Sequence, residues 1–190
     1  MGPTLQLTPN GLYCKEGAFY IDPWRSVDRA VITHAHADHA RWGSRSYLCA
    51  DEGRPVLAAR MGEGASIGTL SYGETLNING VSLSFHPAGH ILGSAQVRLT
   101  LKGHVSVVTG DFKTAPDPTC TPFEPLTCHT LISESTFGLP IFRWPPVESV
   151  AAEINDWWWA NGGEGRTSVL FAYALGKAQR ILACLDASIG

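Results

Sequence analysis

The sequence has 190 residues, 44% of them hydrophobic and 16% charged, with 14 Lys and Arg against 17 Asp and Glu for a net charge of −3. That balance excludes a disordered chain, and no stretch approaches the ~20 continuous apolar residues that a membrane-spanning helix needs, so no membrane partner is expected. The first residues, Met1-Gly2-Pro3-Thr4-Leu5-Gln6, lack a basic segment followed by an apolar one, which makes the cytoplasm the expected compartment.

Residues 18–22 and 29–33 are short strand candidates, and the second leads straight into His34-Ala35-His36-Ala37-Asp38-His39. Four metal-capable side chains thus crowd six positions at a strand end, and three of the chain's seven histidines fall there. Neutral imidazoles with a carboxylate suit zinc, manganese or iron, and so tight a spacing lets one loop serve two ions. Asp38 is placed to start a short helical turn, where a carboxylate near exposed amides is favourable. Further on, the alternating run from Leu76 to Phe85 is broken by Asn79-Gly80, the strongest short hairpin signal.

Small residues then bracket His90 in Ala88-Gly89-His90-Ile91-Leu92-Gly93-Ser94, letting backbone pass close to a bound ion. His86, four residues earlier, reads as structural. The run from Ala95 to Leu101 alternates, turns at Lys102-Gly103 and returns through Val105 to Val108, ending in Thr109-Gly110-Asp111. Asp111 therefore stands at a strand tip, where a carboxylate can bridge two cations about 3.5 to 4 Å apart and offset their charge.

Pro116, Pro118, Pro122 and Pro125 punctuate a loop before a strand over 130–133, which delivers Glu134. After Pro145-Pro146, residues Val147, Val150, Ala151, Ile154 and Trp158 recur at helical spacing over 147–160. Trp157, Trp158 and Trp159 must point in three directions, so at least one is exposed. An aromatic covering a domain junction is preferred there over a base-stacking platform. Five cysteines, an odd number without a Cys-x-x-Cys pair, read as reduced packing residues. Arg41, Arg45, Lys113, Arg143, Lys177 and Arg180 follow site-bearing segments, although each taken singly reads as solvated surface.

The series His34, His36, Asp38, His39, then His90, then Thr109-Gly110-Asp111 resembles the metallo-β-lactamase fold hydrolases. Ser133-Glu134-Ser135-Thr136-Phe137-Gly138 resembles the acidic first motif of the β-CASP nuclease branch, and Phe171 to Arg180 is similar to the strand-turn-helix of that branch's inserted domain. Within it, the chain looks most like bacterial ligase-associated DNA exonucleases. The resemblance implies an α/β chain: a four-layer αββα metallo-β-lactamase fold, incomplete here, over 1–143, and the start of an inserted α/β β-CASP domain over 144–190. Members of the branch continue further, to a last metal-binding histidine and another active-site histidine, whereas no histidine follows His129 here. A fragment or truncated product is therefore the expectation, with a reduced enzyme whose two-metal site has fewer protein ligands as the alternative.

The resemblance further implies two divalent ions, zinc with manganese as the alternative. His34, His36 and His90 would hold one, Asp38 and His39 the other, and Asp111 would lie between. A water activated by the pair would cleave a phosphodiester, with Asp38 orienting it or taking its proton, and Glu134 would pair with a histidine from later sequence. The implied activity is a DNA exonuclease, with nucleic acid as substrate and a DNA ligase as a suggested partner. Two other functions stay open: hydrolysis of small acyl substrates such as thioesters or lactones, and an inactive binding or scaffolding subunit, since the same ligand set serves several chemistries.

Overall fold

The computed structural model describes residues 5–189. The chain divides into two compact units, the first ending at Glu134 and the second beginning at Ser135. The first unit is a mixed α/β assembly of two sheets. One sheet has six strands in chain order: β1 (Leu5–Thr8), β2 (Gly11–Cys14), β3 (Phe19–Ile21), β4 (Arg29–Val31), β5 (Ser46–Ala50) and β6 (Ile67–Leu70). The first three pair antiparallel and the rest parallel. Helix α1 (Arg54–Met61) connects β5 to β6, with proline in its first turn, where a missing N–H costs nothing.

The other sheet has the order β11-β10-β9-β8-β7, built from β7 (Thr75–Ile78), β8 (Val81–Pro87), β9 (Ala95–Leu101), β10 (His104–Val108) and β11 (Thr130–Ile132). Both expected hairpins form. Asn79 and Gly80 take φ of 52° and 86°, and Lys102 and Gly103 take 50° and 82°, so each two-residue turn has the positive-φ geometry that matches strand twist. The core lies between the sheets: Cys14, Phe19, Ile21, Val31 and Leu70 of one meet Val81, Leu83, Phe85, Val97 and Leu99 of the other. Alternation along β8 and β9 fixes the register, because a one-residue slip would turn Leu83, Phe85, Val97 and Leu99 away from this layer.

The second unit contains α2 (Val147–Gly163) and α3 (Lys177–Cys184), which pack on one another. Pro146 precedes α2, Trp157 and Trp159 are exposed, and Trp158 is half-buried. Gln179 Oε1 accepts from the Gly176 N–H at 2.8 Å and opens α3. The strand expected just before α3 does not form: residues 166–173 carry no sheet pairing, and Phe171 is 95% exposed. A strand leaves half its backbone groups for a neighbour, and no described strand lies alongside to take them. Among the described residues no helix is long and apolar enough to cross a membrane.

Candidate metal centre

Every ligand-bearing segment leaves the C-terminal end of a strand. Beyond β4, Ile32 N–H still donates to Leu48 O, at 2.8 Å, and the chain then turns through His34 to His39, with Ala40 N–H closing on His36 O at 2.8 Å. His90 sits in the bend between β8 and β9. There Ser94 Oγ accepts the His90 and Ile91 N–H groups at 3.0 and 3.2 Å, which ties down a loop that has no ladder of its own. Gly89 in this bend has φ of 70°, and a Cβ there would run into Lys113 O. Asp111 follows β10 through Gly110 (φ 56°), where a Cβ would lie 2.6 Å from the Thr33 side chain.

Four ligand atoms, one each from His34, His36, His90 and Asp111, lie within 4.8 Å of one another. His36 Nδ1 is 3.0 Å from His34 Nε2 and 3.3 Å from His90 Nε2. Asp111 Oδ2 is 3.7 Å from His34 Nε2 and 3.6 Å from His90 Nε2. The other carboxylate oxygen, Oδ1, is 3.2 Å from His39 Nε2, and that nitrogen is 3.7 Å from Asp38 Oδ2. The six expected ligands therefore fall into two groups, His34-His36-His90 and Asp38-His39, with one oxygen of Asp111 turned to each. Asp38 is the most open, its side chain 76% exposed.

Asp22, at the end of β3, organises this arrangement and was not picked out from sequence. Its carboxylate accepts Thr33 N–H at 2.8 Å and Thr33 Oγ1–H at 2.6 Å, and its Oδ2 lies 2.8 Å from His39 Nδ1. The single Thr33 hydroxyl proton is committed to Asp22, so His34 Nδ1, 3.1 Å from Thr33 Oγ1, is the donor in that pair. Both His34 and His39 are thus fixed with Nδ1 protonated and Nε2 turned inward, as carboxylate-supported metal-binding histidines require. The available signal was a carboxylate ending a strand parallel to the ligand-bearing one; Asp22 even takes φ of 44° to reach the position.

Electrostatics sharpen the picture. Burial holds His34 well below the ordinary histidine range, helped by the neighbouring His39 charge, so its imidazole is neutral and ready to ligate. Burial also pulls His39 down, but hydrogen bonds to Asp111 and Asp22 outweigh it and raise the ring to about 10. The same His39 contact, against an opposing burial effect, lowers Asp111 to about 2. Three imidazoles and a carboxylate converging in this way fit a divalent cation, whose charge would satisfy all the inward lone pairs together.

Glu134 is not one of the four converging residues. It lies two residues past β11, which runs parallel to β10, so it leaves the same sheet edge as Asp111. His86 is elsewhere, with Nδ1 3.0 Å from Glu124 Oε2 and Nε2 3.1 Å from Ser84 Oγ, in agreement with a structural role.

No protein-family model matches the chain. It is 32% identical over 181 residues, 94% of its length, to a protein described as a probable DNA ligase from Opitutus terrae, of which the match covers 18%. It is 30% identical over 165 residues to the endoribonuclease YSH1 of Eremothecium gossypii (86% of this chain, 20% of that one). Over 125 residues it is 34% identical to the transcription termination factor FttA of Pyrococcus abyssi (62% of this chain, 19% of that one). The chain thus spans about a fifth of the length of the curated relatives it matches. Among solved structures, the FEZ-1 metallo-β-lactamase of Legionella gormanii aligns with a TM-score of 0.37 and 21% identity over 46% of each chain.

Proposed function

The chain is a relative of the β-CASP branch of the metallo-β-lactamase fold hydrolases, and on that premise we propose that it is the metal-binding part of a nuclease that hydrolyses phosphodiesters, with DNA as substrate and exonucleolytic action. The observation that carries this reading is the division of Asp111, whose two oxygens face separate ligand groups 3.2 to 3.7 Å away. His34, His36 and His90 would hold one divalent ion, Asp38 and His39 a second, zinc or manganese in each case, and Asp111 would serve both. Ions bound there would supply Lewis acidity at the phosphate and a water acidic enough to attack near neutral pH.

The chain's own residues do the rest. Asp22 and Thr33 hold His39 and His34 in the ligating tautomer, sparing the reorganisation that freely turning rings would need. Asp38, the most exposed of the set, takes the proton of the attacking water and can pass it to solvent. Glu134, at the same sheet edge, orients groups beside the phosphate. Residues 144–190, within the unit that begins at Ser135, would be the start of the inserted domain, and a DNA ligase is the partner this reading suggests.

The test is elemental analysis of the purified chain together with cleavage of end-labelled single-stranded DNA, with and without zinc or manganese. Near two ions per chain, with metal and cleavage both lost in Asp111→Asn, is the expected result. Glu134→Gln should slow cleavage about 100-fold while metal content holds. Full activity in Asp111→Asn, or hydrolysis of a thioester in place of DNA, would remove the proposal.

A further inference from the structure

Two loops beside the centre share a composition that the metal chemistry does not use. The first, residues 23–29, runs from β3 to the first residue of β4; the second, residues 41–46, runs from the ligand loop to the first residue of β5. Trp24 is 52% exposed and Trp42 79% exposed, whereas Phe19, Leu83, Phe85 and Leu99 in the core of the same unit are 1% exposed or less. Alongside them stand Arg25, Arg29, Arg41 and Arg45, all exposed. In these thirteen positions four arginines meet one acid, Asp28, although the whole chain carries −3.

The loops are held to each other and to the sheet by hydrogen bonds. Val27 N–H donates to Ser44 Oγ at 3.2 Å, Arg45 N–H to Val27 O at 2.9 Å, and Ser46 Oγ–H to Asp28 O at 2.9 Å. The buried Tyr47 hydroxyl accepts Ser44 N–H at 2.9 Å and donates to Arg41 O at 3.0 Å, which clamps both ends of the turn that presents Trp42. Trp24 N–H donates to Asn10 O at 2.9 Å. The indoles are thus carried on fixed backbone, and apolar rings so displayed, interleaved with guanidinium groups, suit a flexible polyanion with flat faces. The position matters too: Trp24 lies two residues from Asp22, which bonds His39, and Trp42 lies three residues beyond His39.

We propose that these paired loops are a binding surface for a single nucleic-acid strand, Trp24 and Trp42 stacking on bases while Arg25, Arg41 and Arg45 meet the phosphates. This rests on the nuclease reading above and adds to it the residues that grip the strand beside the metal centre. A bound base fixes the spacing of its phosphate from the ligand groups, so the surface also sets which bond is presented.

The test measures binding of the 190-residue chain to fluorescein-labelled oligothymidylate and oligouridylate of about 20 nucleotides by anisotropy, in EDTA so that no cleavage intervenes. Trp42→Ala and Trp24→Ala should each raise Kd about tenfold, with Trp42→Phe retaining most of the affinity, because stacking needs a ring. The double variant Arg41→Ala/Arg45→Ala should flatten the slope of log K against log salt by about 1.4. Both tryptophans are exposed, so the melting temperature should hold and folding serves as a control. Affinity within twofold of wild type in the Trp24→Ala/Trp42→Ala double variant overturns the surface, as does absence of strand binding by the wild-type chain. Cleavage under metal separates the two readings: variants that keep affinity in a chain that cleaves defeat the surface alone, and variants that lose affinity in a chain that never cleaves defeat the nuclease reading alone.

Discussion

At the residue scale the centre is a problem of proton placement. Without metal, His39 is an imidazolium clasped by Asp22 and Asp111. Its folded-state value, raised from 6.5 to about 10, gives stability that is complete below pH 6.5 and is lost as pH climbs toward 10. Asp111, lowered from 3.8 to about 2, contributes stability present above pH 3.8 and lost as pH falls toward 2. The melting temperature of the chelator-treated chain should therefore fall between pH 6.5 and 9, and a flat profile would remove the pair. Metal must displace that proton, so zinc affinity followed by competition with a chromophoric chelator should tighten over the same range. Asp22→Asn removes the anion that fixes Thr33 and His39; a loss of about 10- to 100-fold in metal affinity is expected, with little change in far-UV dichroism. Asp38, His39 and His90 stood out in sequence as candidates because ligand types lay close together or between small residues. Asp22 was not, since it touches no ligand within sixteen positions along the chain and acts only through the parallel pairing of β3 and β4.

At the scale of elements, legibility followed local signals. The Asn79-Gly80 and Lys102-Gly103 turns, the strand before the ligand loop and the helix after Pro145-Pro146 each announced themselves through turn chemistry or periodicity. Strands β1, β2, β5 and β6 did not, being four or five residues long and defined by their neighbours. The strand expected ahead of α3 failed for the related reason that an extended segment is stabilised only by a pairing partner. The two hairpins also differ in their chemistry. Lys102 holds φ of 50° in a position that suits asparagine, so Lys102→Asn should stabilise the first unit by about 0.5 kcal/mol, and Asn79→Lys should cost a similar amount. Denaturant midpoints would measure both, and equal midpoints would show that the strands alone set these turns.

At the scale of the molecule, the candidate ligands come from both sheets: His34, His36, Asp38 and His39 from beyond β4, His90 from the β8–β9 bend and Asp111 from beyond β10. An ion there would be stabilising in proportion to its occupancy, by about 2.7 kcal/mol at a hundredfold excess over Kd. Zinc should accordingly raise the melting temperature by several degrees, and the rise should vanish in Asp111→Asn. The Gly110→Ala change tests the same junction from the backbone side, since a Cβ 2.6 Å from Thr33 must displace either the Asp111 loop or the β4 end. A loss of about 2 kcal/mol together with weakened metal uptake is expected from equilibrium unfolding, and uptake at wild-type strength would uncouple the two. The joining of two sheets at one point also has a kinetic meaning. A cation held from both sides works as a removable cross-link, resisting the separation of layers that must precede full unfolding. Starving such a protein of metal would then shorten its lifetime against proteases, so that the ion supply would govern how long the chain survives.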